Sequence, residues 1–249
     1  GLDARFHFGR QTIPFLSTQK GIYRAAAQIG PAALSIQTSS RSPYGDSETA
    51  AGYLYAYRDG SIDQADNRAL RAAHSLQVPI VHFVSTRPGY YKPIYPCFVV
   101  EDDPAARQVL VSPGRMVGPS DNPEPVALDA VEREYAFRQT RVRVHQARFR
   151  AQVVPAYGEL CAICRLKEAR LLDAAHITGD SEAHGLPVIS NGLSLCSRHH
   201  RTFDHDLVGI TPDYEVRVAR HLLEEEDGPM LEVLKGFHGQ SIVTPKRRS

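Results

Sequence analysis

Two hydrophobic patterns divide the sequence. Up to about residue 112 the apolar positions come in short runs between turn formers. Ala33 to Ile36, Gly52 to Tyr57, Val78 to Val84 and Ile94 to Val100 read as strands. Leu70, Ala73 and Leu76 repeat at helical spacing, which predicts one helix over 67–76 and a β-rich domain with a small helical part. Pro113, Gly114, Gly118, Pro119, Pro123 and Pro125 then break the pattern and read as a linker. Beyond it Phe149, Val153 and Tyr157 lie four apart, predicting a helix that bends or ends near Pro155. Leu171 to Ile177 reads as a buried strand ending in His176, and Gly192 to Leu195 as a second apolar strand-like run. The division expected is a first domain at 1–112, a linker and basic connector at 113–148, and a last domain at 149–249.

Composition narrows the class. With 249 residues, 42% of them hydrophobic and 23% charged, the chain can bury a real core and is neither disordered nor collagenous. No apolar stretch approaches a membrane span, and no charged-then-apolar leader opens the sequence, so no membrane partner is expected. Lys and Arg number 29 against 28 Asp and Glu, so bulk charge gives no attraction to nucleic acid. Segregated charge must supply it, and the connector offers Arg133, Arg138, Arg141, Arg143, Arg148 and Arg150 against only Glu132 and Glu134. That series is either a solvated helix face or a track for phosphates.

The candidate chemistry is concentrated in one segment. Five of the eleven histidines and three of the four cysteines fall between 161 and 205. Cys161-x2-Cys164 is followed, after 31 intervening residues, by Cys196-x2-His199. Two such pairs supply the four soft and imidazole ligands of a tetrahedral Zn²⁺. A redox Cys-x2-Cys or core thiols would not explain the second pair, so structural zinc and a reducing cytoplasm are expected. His199 and His200, adjacent at a helix start, diverge by about 100°. His199 therefore completes the zinc set while His200 looks elsewhere, with Asp204 one turn on to orient it or to pair with a helix neighbour.

The order His176, Asn191, His200 across strand, loop and helix resembles the HNH endonucleases, whose ββα-metal motif the zinc pairs would frame as in cysteine-bearing members. The resemblance covers roughly residues 149–245. It implies that His176 is the general base activating water, that His200 ligates a catalytic divalent ion such as Mg²⁺ or Mn²⁺, and that Asn191 holds the loop against the motif. Many members place Asp or His immediately before the base. Ala175 stands there in this sequence, so Asp173 is the candidate second ligand. Arg141, Arg143, Arg148, Arg150 and the terminal Lys246-Arg247-Arg248 would contact flanking phosphates.

The first block is similar in motif order to SRA (SET- and RING-associated) domains of the PUA-like fold over about residues 6–105, from Phe8-Gly9 through Tyr44-Gly-Asp46 and Asp66-Asn67-Arg68-Ala69-Leu70 to Val78-Pro79-Ile80-Val81. The glycine-rich turn after the Ser-Ile strand is altered to Gln37-Thr-Ser-Ser-Arg-Ser-Pro43. The resemblance implies a flipped modified cytosine, stacked by Tyr44 and by Tyr55 or Tyr57 and read by Asp46. An ordinary strand, with its tyrosines split between core and water, is the plain alternative. The expected fold class is α+β, an SRA/PUA-like barrel followed by a zinc-stabilised ββα-metal domain. The expected protein is a modification-dependent endonuclease of the bacterial cytoplasm that cuts double-stranded DNA carrying 5-methyl- or 5-hydroxymethylcytosine. It would act as a homodimer, because one HNH site cuts one strand. A non-cleaving reader, or a nonspecific HNH nuclease whose front domain binds protein, are the rivals.

Overall fold

The computed structural model describes residues 5–8, 11–17, 19–38, 47–114, 129–179, 182, 185–226 and 228–246. Tyr44, Asp46, Arg247 and Arg248 lie outside them. The chain is α+β and falls into two compact units, residues 1–144 and 145–249. Among the described residues no helix is long and apolar enough to cross a membrane.

The first unit opens with a hairpin, β1 (Arg5–Phe8) and β2 (Gln11–Pro14). Its main element is a seven-stranded sheet of β3 (Ile22–Tyr23), β4 (Ser35–Thr38), β5 (Ser47–Thr49), β6 (Gly52–Ala56), β7 (Ile80–Arg87), β8 (Tyr90–Asp103) and β9 (Gln108–Pro113). The spatial order is β3-β4-β7-β8-β9-β6-β5, with β4 and β7 parallel and every other pair antiparallel. The expected barrel is not closed among the described residues, because β3 and β5 stand at the two edges.

Cys97, Phe98, Val99 and Val100 of β8 are all buried, which requires cover on both faces of the sheet. Cys97 and Val99 point into the core that contains Leu70 and Ala73 of α1 (Ala65–Ser75). Phe98 and Val100 face Ala136, Phe137 and Val144 of α2 (Ala130–Ala156), with Phe98 edge-on to Phe137 at 5.7 Å between centroids. The loop before α1 is clamped by buried Asn67, which accepts from Arg58 N (2.8 Å) and donates to Arg58 O (3.0 Å) and Ser61 O (3.1 Å).

The second unit starts in the last turns of α2. Pro155 sits in the final turn, and Gly158 (φ 68°) follows in the left-handed conformation that ends the helix. A short 3₁₀ turn (Ala169–Leu171) leads into β10 (Leu172–His176), and a second (Ile189–Asn191) into β11 (Gly192–Cys196). The two strands pair antiparallel over five rungs, from Leu172↔Cys196 to His176↔Gly192. Then come α3 (Ser197–Asp204), the hairpin of β12 (Val208–Ile210) and β13 (Val216–Val218), α4 (Arg220–Glu224) and α5 (Pro229–Lys235). Phe149 and Val153 of α2, Leu172, Leu195, Val216 and Leu234 share its core.

Candidate functional site

Cys161 and Cys164 come from the turn after α2, Cys196 from the end of β11 and His199 from the first turn of α3. Their ligand atoms all lie within 4.8 Å of one another, and Cys161, Cys196 and His199 are buried. Cys161 Sγ and Cys196 Sγ lie 3.5 and 3.3 Å from His199 Nδ1, and Cys164 Sγ lies 3.9 Å from Cys196 Sγ. A tetrahedral zinc would set thiolates about 3.8 Å apart and thiolate to imidazole nitrogen about 3.6 Å apart. The donor set therefore fits a structural metal ion.

The turn is held by backbone bonds: Cys161 N donates to Leu166 O and Arg165 N (φ 60°) to Cys161 O. The thiols are unequal. The hydrogen bond with Cys196 holds Cys161 below the usual thiol range, burial pushes Cys164 up, and the bond to Cys161 followed by burial pushes Cys196 up. His199 Nε2, on the far side of the ring, is buried without a partner among the described residues, and the ring stands edge-on to Phe237 at 5.2 Å.

At the other end of the β10–β11 ladder stands His176, its ring stacked on Phe149 of α2 at 3.9 Å between centroids and 16° between planes. Aromatic pairs of this kind contribute about 0.5–1.5 kcal/mol beyond their burial. The approach depends on Gly192, opposite His176: a Cβ there would lie 2.5 Å from Val153 Cγ2 and 2.9 Å from Phe149 Cζ. Tyr157 Oη donates to Gly192 O at 3.0 Å, so the Phe149, Val153, Tyr157 face of α2 presses on this one rung. Asn191, just before Gly192, is nine-tenths buried. It accepts from Thr178 N (2.8 Å) and donates to Thr178 O and Leu186 O (3.0 Å each), closing the loop between the strands.

His200 is outside the cysteine cage. Its Nε2 lies 3.5 Å from Asp204 Oδ2, one turn along α3. Asp173 is half exposed, with Oδ1 3.4 Å from Arg150 Nε. Among the described residues, no third His, Cys, Asp or Glu converges with either on a common point.

Residues 161–211 match the HNH endonuclease family. The second unit carries an HNH endonuclease domain. The protein is thereby a nuclease. A solved structure, a modification-dependent TagI restriction endonuclease, is similar over 93% of this chain and 80% of its own, at 18% identity and a TM-score of 0.31. No curated protein matches the chain.

The HNH match starts at Cys161, so the arginines of the connector precede it. Arg141, Arg143 and Arg148 are exposed on α2. Arg143 donates to Ser112 Oγ (3.4 Å) and to Pro113 O, while Arg150 donates to Leu172 O (2.8 Å) and Ala169 O, tying α2 to the start of β10. In the first unit Tyr55 and Tyr57 are 5% and 2% exposed and belong to the core under α1. Tyr55 Oη donates to Gln37 O at 3.3 Å, and Tyr57 Oη donates to Asp102, which also receives Arg71 Nε at 3.0 Å. Burial and Asp102 together push the Tyr57 phenol well up. Phe149 had been legible only as a core position at helical spacing. Gly192, the rung partner of His176 and packed against Phe149, carries the clue, since a glycine inside a strand marks a close approach.

Proposed function

We propose that the protein is a modification-dependent DNA endonuclease, hydrolysing phosphodiester bonds in duplex DNA that carries a modified cytosine. The observation that carries the hydrolytic part is the placement of His176 at the end of β10, within the HNH match and away from the cysteine cage that takes His199. An imidazole nitrogen of His176 takes the proton from the attacking water, which a neutral imidazole does well near its own pKa. Asn191 keeps the loop from moving off the strand end through its three hydrogen bonds. Cys161, Cys164, Cys196 and His199 would hold Zn²⁺ as a scaffold. His200 would hold the catalytic ion, with a carboxylate from Asp173 released by Arg150 or from Asp204 beside it. Bound Mg²⁺ or Mn²⁺ would neutralise the charge developing on the phosphate and its leaving oxygen. Arg141, Arg143, Arg148 and Arg150 on α2 would meet flanking phosphates.

The reader is the SRA-like first unit. Tyr44 and Asp46 would stack and read the extruded base, and Tyr55 or Tyr57 would offer a second ring on giving up its hydroxyl bond to Gln37 or Asp102. Cutting both strands would take two copies, hence a homodimer, and the bacterial cytoplasm would keep the thiols reduced. The test is plasmid DNA with 5-methyl-, 5-hydroxymethyl- or unmodified cytosine, incubated with Mg²⁺ or Mn²⁺. Cleavage confined to modified DNA and lost in His176→Ala is the expected result. Equal cleavage of all three substrates removes the reader, and full activity of His176→Ala removes the assigned base.

A further inference from the structure

We propose that Phe149 is the positioning residue of the nuclease centre, and that Gly192 exists to let it reach His176. The inference rests on the reading of His176 as general base. A base must present its nitrogen to water within a narrow cone, and a misplacement of about 1 Å can cost about a hundredfold in rate. His176 is the last residue of β10, where the ladder stops and cannot fix a ring plane by itself. The ring of Phe149 lies against it almost in parallel, 3.9 Å away and 16° tilted. Rotation of the imidazole about its Cβ–Cγ bond would drive its edge into that ring, so one face is both covered and oriented.

Phe149 is itself held. It is 1% exposed, and Val153 and Tyr157, at the next two turns of the same face, close on the backbone of Gly192. Gly192 is the rung partner of His176, so any side chain there would separate helix from ladder at the point where the two rings meet. The shared contact makes Phe149 and Gly192 one device, and their substitutions are coupled.

The test uses the full chain and steady-state nicking of modified DNA, with thermal melting of each variant. Phe149→Leu is expected to lower kcat by about ten- to a hundredfold with KM within about twofold. Leu234→Ala removes volume from the same core on α5, outside the α2 face that closes on Gly192. It is expected to lower the melting temperature at least as much as Phe149→Leu while retaining kcat. Gly192→Ala is expected to lower kcat, and to add little when combined with Phe149→Leu. The inference is overturned if Phe149→Leu keeps the kcat of the parent, or if kcat in both variants simply follows the fraction folded. If His176→Ala also keeps its kcat, the assigned base itself has failed. If His176→Ala is inactive and Phe149→Leu is not, only the positioning role has.

Discussion

Each unit buries a histidine, and the two solve the cost of that burial in opposite ways. His82 in the first unit is fully buried on β7, between β4 and β8, with Nε2 on Thr38 Oγ1, the ring edge-on to Tyr53 at 4.7 Å and Nδ1 without a partner among the described residues. Burial pushes its pKa down to about 4, so it stays neutral inside a sheet whose strands run to 14 residues. His199 is 2% exposed in a unit whose strands are five residues or fewer, and its Nδ1 points among three thiols. A sheet covered on both faces supplies enough apolar burial to carry one poorly satisfied imidazole. In the second unit the buried imidazole is met instead by thiols that share the apolar core and that a cation would hold together.

The sharpest way to break the comparison is to remove the ion. Metal at a structural cage of this kind contributes about 10–16 kcal/mol in isolated zinc-finger peptides. A strong chelator, or Cys161→Ser, is therefore expected to abolish amide-exchange protection in β10, β11 and α3 while β7, β8 and β9 stay protected. Protection lost equally in both units would show that the sheet depends on the cage as well.

Acid tests the other histidine. The unfolded chain protonates His82 near pH 6.5 and the folded chain only near 4, so between these values the unfolded state binds more protons and stability falls as the pH falls. The loss is about 3 kcal/mol by pH 4, read as urea midpoints at pH 7 and pH 4. His82→Phe, which cannot titrate, should remove the part of that slope belonging to this site. A wild-type slope in the variant would assign the effect to other groups.

Two asparagines offer a matched pair. Asn67 and Asn191 each make three hydrogen bonds to loop backbone, one in each unit. Alanine at either leaves buried donors and acceptors unmet, and each is expected to cost about 1–3 kcal/mol. Only Asn191→Ala should also depress nicking, because its loop leaves the end of β10. The smallest effect belongs to Asp173→Asn. The Arg150 pair is exposed, so stability should move by less than about 1 kcal/mol. A large fall in cleavage at unchanged stability would give the carboxylate to the catalytic ion rather than to the arginine.

The sequence showed the chemistry of the second unit more clearly than its frame. Ligand spacing and the divergence of His199 from His200 are local consequences of helix geometry, so they could be read directly. Strand cores at 33–36, 52–57, 78–84 and 94–100 were legible because they are apolar, and they correspond to β4, β6, β7 and β8 with shifted ends. β9 carries no such signal, because its last residues, Ser112 and Pro113, look like the start of a linker. They are paired with Phe98 and Cys97 across the sheet, a long-range fact with no local signature. The connector's arginines mark it as basic surface, yet Ala136, Phe137 and Val144 of the same stretch cover one face of the sheet. Small and polar neighbours diluted that signal. The tyrosine strand showed its alternation and not its destination, since core and pocket ask for the same period of two.

The five rungs between Leu172↔Cys196 and His176↔Gly192 act as a ruler. Four steps at about 3.3 Å fix a span of about 13 Å between the thiol end and the His176 end, whatever the surrounding loops do. Loop insertions between residues 177 and 190 would leave that span intact. A single residue added within either strand would turn every later side chain to the opposite face and part the two histidines for good.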